Sequence, residues 1–254
     1  MAGDWTATGC TRPLLVAHRG FSKLAPENTL AAFRKALELG IDACECDVHV
    51  SRDHEVVVIH DATVDRTTNG TGRVADFRLS QLQELDAGSW KGLEYAGEPL
   101  PTLRELLLLV QDKCRLLIEV KEAAALDPTL ELLRIHDFFE QAMLISFDFD
   151  VCRIVRSRAP QVAVKWLWVP QQFEPDEQNA MVRKALAGGI TGLGLCASGL
   201  NSELIRYAHE RCLPVWTWTI DEADQMVELA KMGVDGLTSN DPLLAQQTFG
   251  VAPA

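Results

Sequence analysis

The chain has 254 residues, about the length of one (β/α)₈ barrel, and it carries a formal net charge of −12. Its composition, with 47% hydrophobic and 24% charged residues, is ordinary for a globular protein, so we expect a single domain over residues 1–254. The negative charge argues against partners that are themselves polyanions, namely nucleic acid and anionic membranes, because these bind proteins through a basic surface. An anionic ligand would therefore need a local group of cations.

The segment 1–13 has neither the basic start nor the apolar stretch of a secretory signal. No part of the sequence reaches the roughly 18 consecutive apolar residues of a membrane span. The seven cysteines lack the paired spacing of a metal site, which favours reduced thiols over a disulfide framework. We therefore expect a soluble, cytoplasmic protein without stable membrane association.

A βα unit begins the predicted fold. The apolar run 14–17 predicts a first strand that ends at His18. The segment Pro26-Glu27-Asn28-Thr29 then predicts the start of a helix with Asn28 as its N-cap, and Gly40 marks the end of that helix. The buried face of the helix is predicted to consist of Leu30, Phe33 and Leu37.

Strands and helices continue to alternate along the chain. Further strands are predicted near residues 42–49, 55–60, 115–120, 142–147, 162–168, 191–195, 214–219 and 235–238. Helices are predicted near residues 101–112, 128–140, 148–158, 176–187, 202–211 and 221–232. This alternation predicts a parallel sheet, and the number of repeats favours a closed (β/α)₈ barrel over an open sheet. The candidate strands are one more than a barrel needs, and the sequence does not indicate which one is surplus.

Two segments depart from the alternation. The connection between Asp47 and His60 is too short for a helical crossover, so these strands are predicted to form an irregular hairpin. A turn centred on Asp53-His54 would place Asp47 opposite His60.

Residues 62–100 are rich in Gly, Thr and charged residues and have no clear secondary-structure pattern. Because long loops of this kind are usually functional or disordered, and because this one follows His60-Asp61, we interpret it as a cap over the site.

Ionisable residues lie at the ends of several apolar runs, where burial is costly unless the group is paired or binds a metal. Glu45 and Asp47 are two residues apart on one predicted strand and share a face, while Cys44 and Cys46 point to the opposite face. Glu119 ends a third apolar run. Three carboxylates without a Cys or His spacing motif suit a hard dication, Mg²⁺ or Ca²⁺.

Two histidines follow the same pattern. His18 and His60 each end a predicted strand and precede a charged residue, so one can accept a proton while the other donates one. Arg19 and Lys121 are cations suited to an anionic oxygen. Together with a dication, these residues describe a site for a phosphate ester. The sequence has no glycine-rich P-loop, which argues against nucleoside triphosphates as substrates.

The motifs at these positions resemble those of the glycerophosphodiester phosphodiesterases. The matching segments follow one another over nearly the whole chain: Ala17-His18-Arg19-Gly20, Pro26-Glu27-Asn28-Thr29, Glu45-Cys46-Asp47-Val48, His60-Asp61, Asp65-Arg66-Thr67-Thr68-Asn69-Gly70, Glu119-Val120-Lys121, Ser146-Phe147 and Trp216-Thr217-Trp218-Thr219. The resemblance implies a distorted (β/α)₈ TIM barrel of the phospholipase C-like phosphodiesterase type, with a small inserted cap. It also implies hydrolysis of glycerophosphodiesters, such as glycerophosphocholine or glycerophosphoethanolamine, to sn-glycerol 3-phosphate and an alcohol.

The resemblance further implies roles for individual residues. The general acid and base are His18 and His60, with the two roles not distinguished. The ligands of one divalent cation, Mg²⁺ or Ca²⁺, are Glu45, Asp47 and Glu119. The implied phosphate contacts are Arg19 and Lys121. Trp218 is implied as part of a wall against the glycerol, and Trp216 shares its face if the strand is regular; core packing is the alternative role for both.

Two motifs depart from the family pattern. Asp53-His54 stands where Asp-Gly is common, and Ser239-Asn240-Asp241-Pro242 stands where Thr-Asp-x-Pro is common. Neither is expected to touch the chemistry.

Two other functions stay open at this point. A phospholipase-type enzyme that cleaves a lipid or forms a cyclic phosphate would use the same site, with apolar residues such as Trp90, Leu93 and Tyr95 at its mouth. A non-catalytic module that binds phosphate or metal would have lost a histidine or a carboxylate, and neither is missing. Direct attack by water and a cyclic intermediate use the same two histidines, and the oligomeric state is not indicated.

Overall fold

The computed structural model describes residues 12–251. The strands of this part of the chain are β1 (Leu14–His18), β2 (Ala43–Val50), β3 (Val56–Val58), β4 (Arg115–Val120), β5 (Ala142–Ser146), β6 (Ala163–Trp168), β7 (Gly192–Cys196), β8 (Val215–Trp218) and β9 (Gly236–Ser239). Eight of them pair in parallel, and β1 pairs with both β2 and β9, which closes the sheet into a barrel. The predicted fold class is confirmed.

The surplus strand is β3, which pairs antiparallel with β2 outside the barrel. The predicted pairing of Asp47 with His60 is wrong by one residue: Val48 pairs with Val58, and the Ile59 N–H donates to the Asp47 carbonyl at 3.0 Å. The reason is the length of the turn. Ser51 N–H bonds to the Glu55 carbonyl across a three-residue loop whose last residue, His54, has a left-handed φ of 63°.

The helices surround the barrel. They are α1 (Leu30–Glu38), α2 (Leu79–Leu82), α3 (Leu103–Val110), α4 (Leu126–Ile135), α5 (Phe149–Arg158), α6 (Pro175–Ala187), α7 (Ser202–His209), α8 (Ala223–Met232) and α9 (Pro242–Thr248). No helix within residues 12–251 is both long enough and apolar enough to cross a membrane.

The N-cap of α1 is Thr29, whose hydroxyl accepts from the Ala32 N–H, and the prediction of Asn28 as the cap is wrong. Asn28 has a left-handed φ of 58°, so it lies outside the helix. Its side chain instead bonds to Asp47 on β2. Gly40 follows the end of the helix with φ 65°, as the sequence predicts.

Two apolar layers hold the barrel together. Alternate residues of the strands face outward, where Cys44, Cys46 and Ile118 pack with Phe33 in the large core beneath the helices. The other residues face inward and form a smaller core inside the barrel, made of Val16, Ala43, Leu117, Ile145, Leu167 and Trp216. The cysteines are therefore separated from the carboxylates, as the alternation predicts, and those of the described chain are free thiols.

The segment 62–100 has more structure than its sequence pattern indicates. It contains α2 and two short 3₁₀ helices, Val74–Asp76 and Leu93–Tyr95. It has its own small core, formed by Val64, Val74, Leu82, Ala87 and Leu100 with Val57 and Ile59 of the hairpin. Lys91 Nζ donates to the Ser22 carbonyl at 2.7 Å and Tyr95 Oη to the Leu24 carbonyl at 3.1 Å, so the segment is attached to the loop after β1.

Candidate active site

A cavity of about 220 Å³ opens at the carboxyl ends of the strands. In barrels of this kind, catalytic residues come from the ends of several different strands. The predicted site residues that line the cavity are His18, Arg19, Glu45, His60, Glu119, Lys121 and Trp218. Asp47 lies behind this lining and is fully buried. None of residues 62–100 belongs to the lining, so covering of a bound substrate by this segment stays a prediction.

The three predicted carboxylates form one cluster. One oxygen each of Glu45, Asp47 and Glu119 lies within 4.8 Å of the other two. The cause is local: alternation turns Glu45 and Asp47 to one face of β2, and Asp47 pairs in register with Glu119 on β4. Burial, and then repulsion by Asp47, raises the pKa of Glu45 well above its usual range and also raises the pKa of Glu119.

Two cations border the cluster. Arg19 Nε lies 3.1 Å from Asp47 Oδ2, and Lys121 Nζ lies 2.7 Å from Glu119 Oε1 and 3.5 Å from Asp47 Oδ1. Burial opposes ionisation of Asp47, but Arg19 and Lys121 outweigh it and lower the pKa of this carboxyl. Asp47 Oδ1 is buried and accepts no hydrogen bond from residues 12–251. Three converging carboxylates, one of which has a buried oxygen that accepts no hydrogen bond within the described residues, fit a hard divalent cation.

Asn28 positions one of these carboxylates. Its Nδ2 donates to Asp47 Oδ2 at 2.9 Å, and its Oδ1 accepts weakly from the Asp47 N–H at 3.4 Å. Both residues are buried. The left-handed conformation of Asn28 turns its side chain toward β2, a conformation that Asn adopts more readily than most residues.

His18 is oriented by two residues from the far end of the chain. Its Nδ1 lies 2.7 Å from Asn240 Oδ1, and Asn240 in turn donates through Nδ2 to Asp221 Oδ2 at 2.6 Å and through its backbone N–H to Asp221 Oδ1 at 2.8 Å. Because the amide nitrogen of Asn240 is used by Asp221, its oxygen accepts from His18. Nδ1 of His18 therefore carries the proton, and Nε2, 3.9 Å from Glu45 Oε2, has the free lone pair.

The expectation that Ser239-Asn240-Asp241-Pro242 does not touch the chemistry is therefore wrong. Closure of the barrel between β1 and β9 brings Asn240 directly beside His18. Burial, together with the nearby charge of Arg19, lowers the pKa of His18 to about 4. The imidazole is consequently neutral near neutral pH.

His60 has a different environment. Its Nδ1 donates to Asp61 Oδ1 at 2.6 Å, and Arg66 binds the other oxygen of Asp61 at 2.7 Å. Arg66, and then His60, lowers the pKa of Asp61 to about 2. Arg66 also pairs with Glu27, which accepts from Arg19 at 2.8 Å, so one ion-pair network joins the surroundings of both histidines.

Aromatic residues form the other side of the cavity. Trp216 and Trp218 both line it, so β8 is regular enough for the two to share a face. Phe147, which follows β5, meets the Trp218 ring edge to face at 5.6 Å and is 49% exposed. The Trp218 Nε1 is buried and donates to no group in the described chain. The wall is therefore apolar, with one donor that lacks a protein partner.

Several site residues were not predicted individually. Phe147 and Asn240 each follow the end of a strand, so the rule that selected the histidines would have found them. Asn28, Asp221 and the lining residue Lys165 carry no comparable signal: the first two lie in loops, and the third lies in the middle of β6.

Known proteins are related to this chain in sequence over most of their length. Residues 18–244 match the model of the glycerophosphoryl diester phosphodiesterase family. The chain is 38% identical over 237 residues to a glycerophosphodiester phosphodiesterase of Caldanaerobacter subterraneus, covering 91% of this chain and 95% of that protein. It is 36% identical over 232 residues to the YhdW protein of Bacillus subtilis, covering 90% of this chain and 94% of that protein.

Solved structures of phosphodiesterases have a similar fold. A phosphodiesterase of Oleispira antarctica, in complex with the product sn-glycerol 3-phosphate, superposes with a TM-score of 0.86 at 27% identity, covering 96% of this chain and 98% of that one. A glycerophosphodiester phosphodiesterase of Agrobacterium tumefaciens superposes with a TM-score of 0.78 at 26% identity, covering 91% of this chain and 98% of that one. Because the family model matches residues 18–244 and a relative is 38% identical over 91% of the chain, the chain belongs to the glycerophosphoryl diester phosphodiesterase family.

Proposed function

We propose that this enzyme hydrolyses glycerophosphodiesters to sn-glycerol 3-phosphate and an alcohol, with a divalent cation and with His18 and His60 as the proton-transfer groups. The observation that carries the proposal is the convergence of three carboxylates and two histidines on one cavity. The Oleispira antarctica structure, which holds sn-glycerol 3-phosphate, supports the identity of the product.

The cation would be held by Glu45, Asp47 and Glu119. When bound, it supplies positive charge for the phosphoryl oxygens and acidifies an oxygen ligand. The buried, mutually repelling carboxylates favour such an ion, because its charge offsets the burial and the repulsion by Asp47 that raise the pKa of Glu45. Arg19 and Lys121 already balance part of this charge, and their remaining N–H groups donate to the phosphate oxygens.

The surroundings of the two histidines favour different roles. His18 is neutral near neutral pH and has its lone pair on Nε2, so it accepts the proton of the attacking oxygen. Asn240 and Asp221 hold it in that tautomer. His60 has a carboxylate at Nδ1 that complements positive charge on the ring, so it donates the proton to the leaving alcohol. Trp218 and Phe147 bind the carbon chain of the glycerol.

The test is release of sn-glycerol 3-phosphate from glycerophosphocholine by chelator-treated protein, with and without added Mg²⁺ or Ca²⁺. We expect release only when metal is added back. Release of phosphocholine and glycerol would contradict the bond assignment, and equal release without metal would contradict the role of the cation.

A lipid phosphodiesterase is the second candidate, because apolar side chains lie exposed on neighbouring loops. Leu24, Trp90 and Leu93 are 51%, 42% and 87% exposed, and the bonds from Lys91 and Tyr95 hold their loops together. If glycerophosphocholine is not cleaved while lysophosphatidylcholine is, this candidate replaces the first.

A further inference from the structure

Lys165 lies in the middle of β6 with its side chain inside the barrel. It is 3% exposed and lines the same cavity as the histidines. Within residues 12–251 its amine contacts the Met143 thioether and lies 3.0 Å from the centre of the Trp216 ring, and it forms no ion pair with a carboxylate. A thioether and a ring face satisfy the N–H donors of an amine poorly, and a buried donor without a good acceptor is costly.

The surrounding backbone makes room for this side chain. A Cβ at Gly192 would lie 3.1 Å from Lys165 Cε, and a Cβ at Gly236 would lie 2.3 Å from the Trp216 ring. Both glycines are on strands adjacent to the side chain that they accommodate. The amine and the ring beneath it therefore have defined positions inside the barrel.

Strand β5 lies between the strand of Lys165 and that of Glu119, the cluster carboxylate on β4. The charges that act on its amine are those of Asp235 and Arg115, which lie at the amino ends of β9 and β4. The carboxylates of the acidic cluster lie toward the opposite, carboxyl ends of the strands. The amine therefore lies deep in the cavity, where the neighbouring lining residues Ile145, Leu167 and Trp216 are apolar.

We propose that Lys165 is a specificity residue that binds the terminal hydroxyl of the glycerol moiety at the floor of this cavity. The proposal rests on the proposed function. The apolar lining contacts the carbon chain, and the amine supplies a polar partner for the hydroxyl. Its N–H groups, which only a thioether and a ring face meet within the described residues, donate to the hydroxyl oxygen, and burial lowers the pKa of the amine well below its usual range.

The chemistry of this floor also orients the diester. A choline group has no hydrogen-bonding atom and carries a positive charge, so it gains nothing beside an amine. The glycerol end therefore enters the cavity, and the second alcohol points outward to the mouth, where its identity matters less.

The test compares glycerophosphocholine with a diester that lacks only the terminal hydroxyl, 2-hydroxypropyl phosphocholine, which keeps the hydroxyl next to the ester. For the parent enzyme we expect kcat/KM to be higher for glycerophosphocholine by about tenfold to a hundredfold, the range of one buried hydrogen bond. In Lys165→Met this ratio should fall toward one. Lys184→Met is the matched control, because Lys184 also lies over an aromatic ring, 4.4 Å from the centre of Phe149, but is exposed on α6 outside the barrel.

A parental ratio in a folded Lys165→Met variant, even at reduced activity, would overturn the proposal and leave Lys165 a structural role. Should that variant not fold, the unmodified protein gives a second comparison. The parent should bind sn-glycerol 3-phosphate at least about tenfold more tightly than 1,2-propanediol 1-phosphate, and equal affinity would overturn the proposal. Because this binding measurement needs no turnover, its result is separate from a failure of the proposed hydrolysis.

Discussion

Nδ1 of His18 and Oδ1 of Asn240 lie 2.7 Å apart although the two residues are separated by 222 positions in the sequence. The bond fixes the tautomer of the histidine only because Asp221 fixes the orientation of the amide. The Asp221 carboxylate therefore acts on the His18 imidazole through the neutral amide of Asn240. A positive charge on His18 is stabilised less by this arrangement than by direct contact with a carboxylate.

This relay predicts that the negative charge can be exchanged between Asn240 and Asp221. Asn240→Asp places two carboxylates at the 2.6 Å separation that the amide nitrogen and Asp221 now have, so we expect a loss of about tenfold or more in kcat. Adding Asp221→Asn removes the repulsion and restores the hydrogen bonds, and most of the activity should return. Steady-state kinetics of the two single variants and the double variant measure the effect. Additive losses in the double variant would show that the relay does not position His18.

The second prediction separates the roles of the histidines. His60→Gln should slow hydrolysis of glycerophosphocholine by about 10²–10⁴-fold, because the leaving alcohol needs a proton. The same variant should hydrolyse a glycerol phosphate p-nitrophenyl diester with a much smaller loss, since nitrophenolate leaves without protonation. His18→Gln should slow both substrates alike, because the attacking oxygen still has to lose its proton. If His18→Gln instead spared the nitrophenyl substrate and His60→Gln slowed both substrates, His18 would be the proton donor and His60 the proton acceptor.

The sequence predicts the barrel well because each strand and helix has a local periodicity, and buried parallel strands produce continuous apolar runs. It predicts the centre of the site for a related reason. Polar residues at the ends of such runs, including Glu45, Glu119 and His18, converge once the strands are parallel. These residues were found without knowledge of which strand lies beside which.

The contacts that the sequence does not predict depend on closure of the barrel or on the backbone angle of a single residue. Asn240 reaches His18 only because β9 pairs with β1, and Asn28 reaches Asp47 only because its φ is 58°. The one-residue error in the hairpin has the same origin, in the left-handed conformation of His54. Lys165 was missed because a charged residue inside an apolar strand gives no indication of the cavity that it faces.

The third prediction concerns pH and metal. In the metal-free protein, burial and then Asp47 raise the pKa of Glu45 and Glu119, so the folded chain holds protons that the unfolded chain releases above about pH 4.5. The stability that these protons contribute is complete below that pH and is lost as the pH rises through the folded pKa values. A cation needs both groups deprotonated, so its stabilising effect should grow as the pH rises from about 4.5 through the folded pKa values.

In thermal denaturation, Mg²⁺ or Ca²⁺ at a hundred times Kd should raise the free energy of unfolding by about 2.7 kcal/mol at a pH where both carboxyls are deprotonated. Glu119→Gln should remove most of this stabilisation, whereas Glu94→Gln, which removes an exposed carboxylate outside the cluster, should keep it. Equal stabilisation of both variants would assign the ion to another place on the protein.

The fourth prediction tests Asn28 as the residue that orients Asp47. Asn28→Gly keeps the left-handed backbone at φ 58° without strain but removes the 2.9 Å hydrogen bond to Asp47 Oδ2. Loss of a residue that orients a metal ligand typically lowers metal affinity by about 10–100-fold, and we expect that loss here. Calorimetric titration with Mg²⁺ or Ca²⁺ measures it, and circular dichroism checks the fold.

The matched comparison is Asn28→Leu, which removes the same hydrogen bond and also puts a bulky side chain into a left-handed position. It should lose both metal affinity and stability, whereas Asn28→Gly should lose mainly affinity. If Asn28→Gly binds the cation as tightly as the parent, the contact between Asn28 and Asp47 serves the loop before α1 rather than the metal site.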